Sequence, residues 1–472
     1  MRGKDLKDKR SDKRSERRRA RIRLSPKITL CVEEVPSAFT ASMGFFVACG
    51  SRHESKRATG AAHMCEHLFF KRTTSKTSND ISRISERLGG ELNAYTDREL
   101  TCFHADCPAD QLEEIMKLIV EMLLDPQFTK QEFESERQVV VQEIVGYEDN
   151  PEDVFSDLSL EVPWASHPLG LRIGGRSDQV KKLSYAGVYR FIESTFLPAP
   201  WTISVVSPLK IEDVKKMLTR VLNDAKSYRY SKLLKIARKP KKFGGEARMA
   251  APWVKRSLAH KMLSEQVQVA FSFPSVGIRE RSEVYYTALS SILGMGAGSL
   301  LYRELREKLG LVYHVSAHNL SFSDAGVLMG QWSCTQDHLE EAAFAAARVC
   351  ALLAWGGVPE SEVRYTMDCL RGVVKMSFDG IRGRMEAMGR QEVLIGYSLS
   401  LSEMLRELEK INKNRLDSCA RAMRKKPCFL LVGPVGKREL LRVQTAWDRG
   451  LLAGRSELIA NPKVLDFRGA HL

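Results

Sequence analysis

No two of the ten cysteines form a C-x-x-C pair, and they are scattered singly from Cys31 to Cys428. That argues against a disulfide framework. Thiols so placed suit a reducing compartment, and the expected location is cytoplasmic. The chain also has no apolar run long enough to span a bilayer. Its nearest approach, AAFAAARVCALLAWGGV from Ala342 to Val358, is short, carries Arg348 near its middle and ends in two glycines, so it reads as a buried helix. A secretory leader is not expected, because the first residues have no apolar stretch, and their acidic residues do not suit an organellar transit peptide. Nucleotide fingerprints are missing too. GMGAG at Gly294 to Gly298 has the wrong spacing, and GPVGK at Gly433 to Lys437 lacks the gap and the hydroxyl residue of a phosphate loop. His314 and His318 lie in an extended segment without a carboxylate partner.

What is present is a chain of 472 residues, 43% hydrophobic, with a net charge of +15, long enough for two or three cored domains. The charge is uneven. Residues 1–24 hold 12 Lys/Arg and 4 Asp/Glu, a net of +8. This run reads as a disordered basic tail, with nucleic acid or an anionic surface as its only candidate partner. No basic stretch interleaved with aromatics recurs in the body, which excludes a nucleic-acid-binding core.

The chain is written twice. DQLEEIMKLIVEML from Asp110 is echoed by DHLEEAAFAAARVCALL from Asp337, WTISVVSPL by PCFLLVGPV, and RLGGELNAY by KLGLVYHVS, at offsets of 227, 226 and 221 residues. In each half a strand leads to two helices, then extended segments, then two longer amphipathic helices. The expected fold class is α+β: two homologous α/β sandwich domains, each a sheet with helices on one face, forming a clamshell. The expected boundaries are the tail at 1–24, a first domain at 25–226, a linker rich in lysine, proline and glycine at 227–253, and a second domain at 254–472.

Histidine is scarce, ten in all, yet two fall within five positions in AAHMCEHLFF, residues 61–70. On a helix, His63, Glu66 and His67 share one face. Two imidazoles at i and i+4 can grip one zinc ion, and the carboxylate beside them can take a proton from water that the metal activates. A random chain of this composition shows H-x-x-E-H only about once in a hundred such proteins. Cys65 points off the shared face and reads as a packed thiol. A catalytic zinc needs a third protein ligand. The next carboxylate-rich helix, FTKQEFESERQVVVQEIVGYEDNPED, presents Glu136 and Glu143 on one face, seven residues apart.

GSRHESKRATGAAHMCEHLFFKRT, LGGELNAYTDRELT and ESERQVVVQEI together resemble the signatures of the inverzincin peptidases, the group that includes pitrilysin, insulin-degrading enzyme and the mitochondrial processing peptidase. The resemblance covers nearly the whole chain after the tail. It implies a third ligand about 76 residues after His67, which is Glu143. Glu66 is then the general base, and Glu136 a residue that orients a ligand or a water. GMGAGSLLYRELREKLGLVYHVSA is similar to the family's carboxy-terminal signature, which implies that Arg306 grips substrate and Tyr313 donates to the oxyanion. Leu92, Asn93 and Ala94 become the edge to which an extended peptide adds as a strand. The second half has no H-x-x-E-H, so one Zn2+ per chain is expected, in the small two-domain processing-peptidase type. The implied function is a zinc metalloendopeptidase that hydrolyses extended or unfolded peptides in a two-domain chamber, as a homodimer or paired with a related chain. The rival class is a non-catalytic peptide-binding or scaffolding subunit of the same fold.

Overall fold

The computed structural model describes residues 18–165, 167–234, 253–254, 256–461 and 464; most of the expected tail (1–17) and of the expected linker (235–252) lies outside the described residues. The first half contains strands β1 (Arg19–Arg23), β2 (Ile28–Glu34) and β3 (Thr40–Val47), then helices α1 (Ala61–Phe69) and α2 (Ser78–Arg87). Strands β4 (Glu91–Thr96) and β5 (Thr101–Pro108) follow, with helices α3 (Leu112–Leu124), α4 (Lys130–Asp149) and α5 (Pro151–Trp164), strand β6 (Trp201–Ser207) and helix α6 (Ile211–Asp224). The second half contains β7 (Leu258–Lys261), β8 (Val267–Ser275), α7 (Glu283–Gly294), β9 (His314–Ser321) and β10 (Gly326–Cys334). It continues with α8 (Leu339–Gly356), α9 (Glu360–Ser377), α10 (Ile381–Ile395), β11 (Cys428–Gly433) and α11 (Lys437–Ala460).

The duplication is visible in the sheets. Their strand orders are β1-β2-β6-β3-β5-β4 and β7-β11-β8-β10-β9. With β1 set aside, the two orders match strand for strand. Each has one parallel pair at the corresponding place, β2 with β6 and β7 with β11, and antiparallel pairs elsewhere.

β1 corrects the tail boundary. Arg19–Arg23 pair antiparallel with Glu33–Thr29 of β2, so these residues are sheet. Composition hides the strand because three of its five residues are arginine, but the alternation is there. Ile22 packs on the core while Arg19 meets Glu33 and Arg21 meets Glu392.

Strand alternation also splits the first sheet into two unlike faces. Met43, Phe45, Phe103, Ala105, Ile203 and Val205 point into a core shared with Met64 and Leu68 of α1 and Ile115 and Ile119 of α3. Burying each large side chain there stabilises the fold by roughly 1.5–3 kcal/mol. The opposite face carries Ser42, Gly44, Phe46, His104, Asp106 and Ser204, and α10 lies against it. A Cβ on Gly389 would sit 2.0 Å from the Phe46 ring, so glycine sets that approach, and Ser204 donates to the Met385 carbonyl at 2.8 Å.

Two compact units result, and neither is a contiguous half of the chain. One contains the described residues within Met1–Val145, Arg172–Gly245 and Val374–Met404; the other contains those within Gly146–Leu171, Glu246–Val373 and Leu405–Leu472. The contiguous boundaries expected from the sequence are corrected here. Helix α10, written in the second half, covers the first sheet, and its counterpart α5, written in the first half, covers the second. In the second unit, Val154, Phe155, Leu158 and Trp164 of α5 pack on Ala270, Val327, Met329, Leu430 and Val432. On the other side of that sheet Phe271 meets the rings of Trp332 and Trp447.

Among the described residues no single helix is long and apolar enough to cross a membrane. The apolar stretch noted above falls mainly in α8, a buried helix whose Arg348 is tied to Glu457 and Glu304. All ten cysteines are free thiols and nine are buried, Cys65 among them.

Candidate metal centre

α1 begins where the backbone can turn only at glycine. Gly60 has φ +88°, and a Cβ there would lie 2.7 Å from the Gly174 carbonyl oxygen. Glu54 satisfies the first N–H groups of the helix, accepting from Gly60 at 2.8 Å and from Ala62 at 2.7 Å. Burial pushes its carboxyl up to about 8, against the pull of those two bonds. The helix then buries Ala61, Ala62, Met64, Cys65, Leu68 and Phe69, which leaves His63, Glu66 and His67 on the remaining stripe.

α4 brings the second set of carboxylates. It buries Phe133, Val140, Val141 and Ile144 and holds Glu136 inside. The two imidazole Nε2 atoms face each other at 3.3 Å. Glu143 lies 3.9 Å from His63 Nε2 and 3.6 Å from His67 Nε2. One ligand atom from each of these three residues falls within 4.8 Å of the others. A tetrahedral zinc at about 2.0–2.1 Å from each ligand sets those atoms roughly 3.3 Å apart, so the donor set and its spacing fit that ion.

The protonation pattern is consistent with that fit. Burial, then the neighbouring His67, lowers the His63 pKa to about 4, so its ring is neutral at physiological pH. His63 Nδ1 is buried without a hydrogen-bond partner, which leaves the ring oriented by its Nε2 side. His67 Nδ1 is 2.9 Å from Glu136 Oε1, and a proton held there leaves the Nε2 lone pair facing Glu143 and His63. Burial is the largest single influence and opposes charging of His67, but the Glu136 bond together with the charges of Glu136, Glu143 and Glu66 outweighs it and raises the ring's basicity. Glu136 is held below the usual carboxylate range: burial pushes up, while His67 and Lys71 pull down harder. Lys71, one turn past His67, makes an ion pair with the other Glu136 oxygen. Glu66 is raised, chiefly by burial, and its Oε2 accepts from the Thr96 hydroxyl at 2.5 Å.

Leu92, Asn93 and Ala94 lie on β4, an edge strand paired on one side with Ala105, His104 and Phe103 of β5. Arg306 and Tyr313 belong to the other unit. Arg306 lies in a π-helical stretch, Tyr302–Lys308, with its guanidinium 5.0 Å from the Tyr302 ring and 5.7 Å from that of Tyr313. Tyr313 is 72% exposed. The structure therefore brings His63, Glu66, His67, Glu136 and Glu143 together within the first unit, and Arg306 and Tyr313 together within the second. Glu54, Lys71 and Thr96 were not anticipated. Lys71 stands four residues after His67, and Thr96 shares the strand face of Leu92 and Ala94, so both positions carried a periodic signal. Glu54 carried none.

A half-buried cluster of two histidines on α1 and a glutamate on α4, in a duplicated two-sheet chain, is a donor set suited to the metal site of a metallopeptidase. The comparisons with known proteins agree. The insulinase model of peptidase family M16 matches residues 29–176, and the model described as the peptidase M16 inactive domain matches residues 182–368. The chain belongs to peptidase family M16. It is 26% identical over 399 residues to the uncharacterized zinc protease YmxG of Bacillus subtilis, covering 84% of this chain and 93% of that one. It is 27% identical over 425 residues to an uncharacterized zinc protease of Mycobacterium tuberculosis, covering 90% and 95%. In fold it is similar to a protease from Helicobacter pylori, with a TM-score of 0.76 at 19% identity over 88% of this chain and 99% of that chain. It is also similar to an M16 inactive-domain structure from Pseudomonas fluorescens, with a TM-score of 0.74 at 17% identity over 89% and 98%.

Proposed function

We propose that the protein is a zinc-dependent endopeptidase acting on extended or unfolded peptides. The observation that carries this reading is the convergence of His63, His67 and Glu143 ligand atoms beside the half-buried Glu66. His63, His67 and Glu143 would hold one zinc ion, which supplies a Lewis acid that polarises a carbonyl and acidifies water. Glu66 takes the proton of the attacking water and delivers it to the leaving amine. Burial raises its pKa above the usual glutamate value, which makes it a stronger base than an exposed carboxylate. Glu136 keeps the proton on His67 Nδ1 and thereby the correct nitrogen toward the metal. An extended peptide adds to the outer side of β4 at Leu92, Asn93 and Ala94, so backbone pairing selects unfolded segments. Arg306 is assigned to substrate binding and Tyr313 to oxyanion donation on the strength of the family resemblance.

The test is zinc analysis with turnover of an unfolded peptide mixture. The wild type should carry one zinc and cleave, and Glu66→Gln should keep the zinc and lose cleavage. Zinc binding without turnover in the wild type would assign the chain to the non-catalytic peptide-binding class instead.

A further inference from the structure

We infer that Thr96 is a positioning residue for Glu66, and that helix α10, from the far end of the sequence, positions Thr96. The inference rests on the reading of Glu66 as the base and extends it to the groups behind that residue. Thr96 is the last residue of β4, and its hydroxyl donates to Glu66 Oε2 at 2.5 Å. One carboxylate oxygen is thereby occupied and the other is left to receive a proton.

What holds Thr96 is visible on the reverse face of the strand. Successive side chains alternate, so Tyr95 points away from α1 while Thr96 points toward it. The Tyr95 hydroxyl donates to Glu386 of α10, and Arg390, one turn further along that helix, donates to Asp97 Oδ2 at 2.9 Å. Asp97 opens the β4–β5 turn. Its N–H donates to the Leu100 carbonyl at 2.8 Å, its carbonyl accepts from Ser51, and its Oδ1 accepts from the Arg98 N–H. A Cβ on Gly50 would lie 2.0 Å from the Asp97 carbonyl oxygen, so only glycine permits this contact. Arg52 braces the same turn through Glu99 at 2.6 Å. Both neighbours of Thr96 are thus pinned from α10, and a one-residue slip of β4 would turn the hydroxyl away from Glu66. No other residue of β4 donates to Glu66 among the described residues.

Two readouts test this. In the zinc-loaded enzyme, Thr96→Val should keep the metal and leave KM within about twofold while kcat falls about tenfold, the usual worth of one such hydrogen bond. Thr96→Ser should restore kcat. Arg390→Gln should lower kcat less, and the Thr96→Val/Arg390→Gln pair should be no slower than Thr96→Val alone, because both changes act through one hydroxyl. The second readout needs no activity. The side-chain carboxyl 13C resonance of Glu66, identified by its loss in Glu66→Gln, should move in Thr96→Val, move less in Arg390→Gln and return in Thr96→Ser. An unmoved resonance in Thr96→Val overturns the positioning role of Thr96, and fully additive kcat losses overturn that of α10. If the resonance behaves as stated in a protein that cleaves nothing, the peptidase reading fails while the positioning stands.

Discussion

The two units repeat one sheet order, yet they bury charge very differently. Of nine Asp, Glu, Lys and Arg residues buried among the described residues, eight (Lys27, Glu33, Arg98, Glu99, Glu121, Asp125, Glu136 and Glu392) belong to the unit with the His63–His67–Glu143 cluster. The other unit buries Glu362 alone, and fills its interior with Phe271, Phe273, Trp332 and Trp447. The exchanged helices show the same contrast. α5 seals its sheet with Val154, Phe155, Leu158 and Trp164, whereas α10 meets its sheet through Arg382, Arg384, Glu386, Arg390 and Glu392. Paired buried charges contribute little net stability because desolvation offsets their attraction. What they do fix is position: each ion pair or hydrogen bond is directional, while an apolar contact tolerates sliding. On the proposed reading the first unit holds three ligands and a base in register and gains from that constraint, whereas no second such cluster occurs among the described residues of the other unit.

The largest effect should come from breaking the cluster itself. His63→Ala or Glu143→Gln removes one of the three proposed ligands and should lower zinc affinity by more than about a hundredfold, beyond the 10–100-fold typical of a supporting residue. Isothermal titration with zinc measures it. Full zinc affinity in both variants would place the metal elsewhere, and the contrast between units would lose its chemical cause.

Next in size is damage to the apolar unit. Trp447 is fully buried against Phe271, Phe273 and Phe429. Trp447→Ala should cost about 3–5 kcal/mol in denaturant unfolding and leave zinc affinity unchanged. A matching loss of zinc affinity would show that the first unit depends on the second for its site.

How much of this was legible beforehand depended on the range of each signal. The duplication and the H-x-x-E-H face rest on spacing within one element or between echoing elements, and periodicity reports those. β1 was hidden because RARIR reads as charge until Ile22 finds a core. The exchange of α5 and α10 was not legible for a different reason: an amphipathic pattern says which face of a helix is buried but not which sheet buries it. The contiguous boundaries failed there. Thr96 shows the limit again. Its alternation with Tyr95 was readable, but its meeting with Glu66 joins residues 30 apart, and the tie behind it joins Tyr95 to a residue 291 further on.

A third prediction turns the buried charge into a pH effect. Lys27 is buried over the Trp201 ring, donating to the Leu197 and Leu233 carbonyls, and burial lowers its pKa from 10.5 to about 8. The folded protein therefore holds that proton less tightly than the unfolded chain does. Between about pH 8 and 10.5 the unfolded state binds more protons, so this group makes stability rise with pH in that window and costs stability below it. Lys27→Met should stabilise the protein at pH 7 by roughly 1–3 kcal/mol, the gain in desolvation reduced by two carbonyls left without a donor. It should also flatten the rise above pH 8. Destabilisation at pH 7 would mean that the carbonyl bonds outweigh the buried charge.

The smallest effect separates the ties of α10 from one another. Arg382 donates to Asp106 Oδ2 at 2.6 Å and approaches His104 Nε2 at 3.2 Å, with side-chain exposures of 47% for Arg382 and 29% for Asp106. A pair this accessible to water is worth less than about 1 kcal/mol. In 1 M salt the Debye length falls to about 3 Å, so most of that contribution should vanish. Asp106 pairs with Glu91 at the start of β4, five residues from Thr96, so Arg382 does not brace the end of the strand that carries the hydroxyl. Arg382→Ala should then cost below about 1 kcal/mol at low salt and nothing measurable in 1 M salt, with kcat unchanged. Arg390→Gln on the same helix should lower kcat by the route through Asp97. If Arg382→Ala slowed turnover as much as Arg390→Gln does, α10 would act by its presence on the sheet as a whole, and the charges along it would not be divided between holding the helix and holding the base.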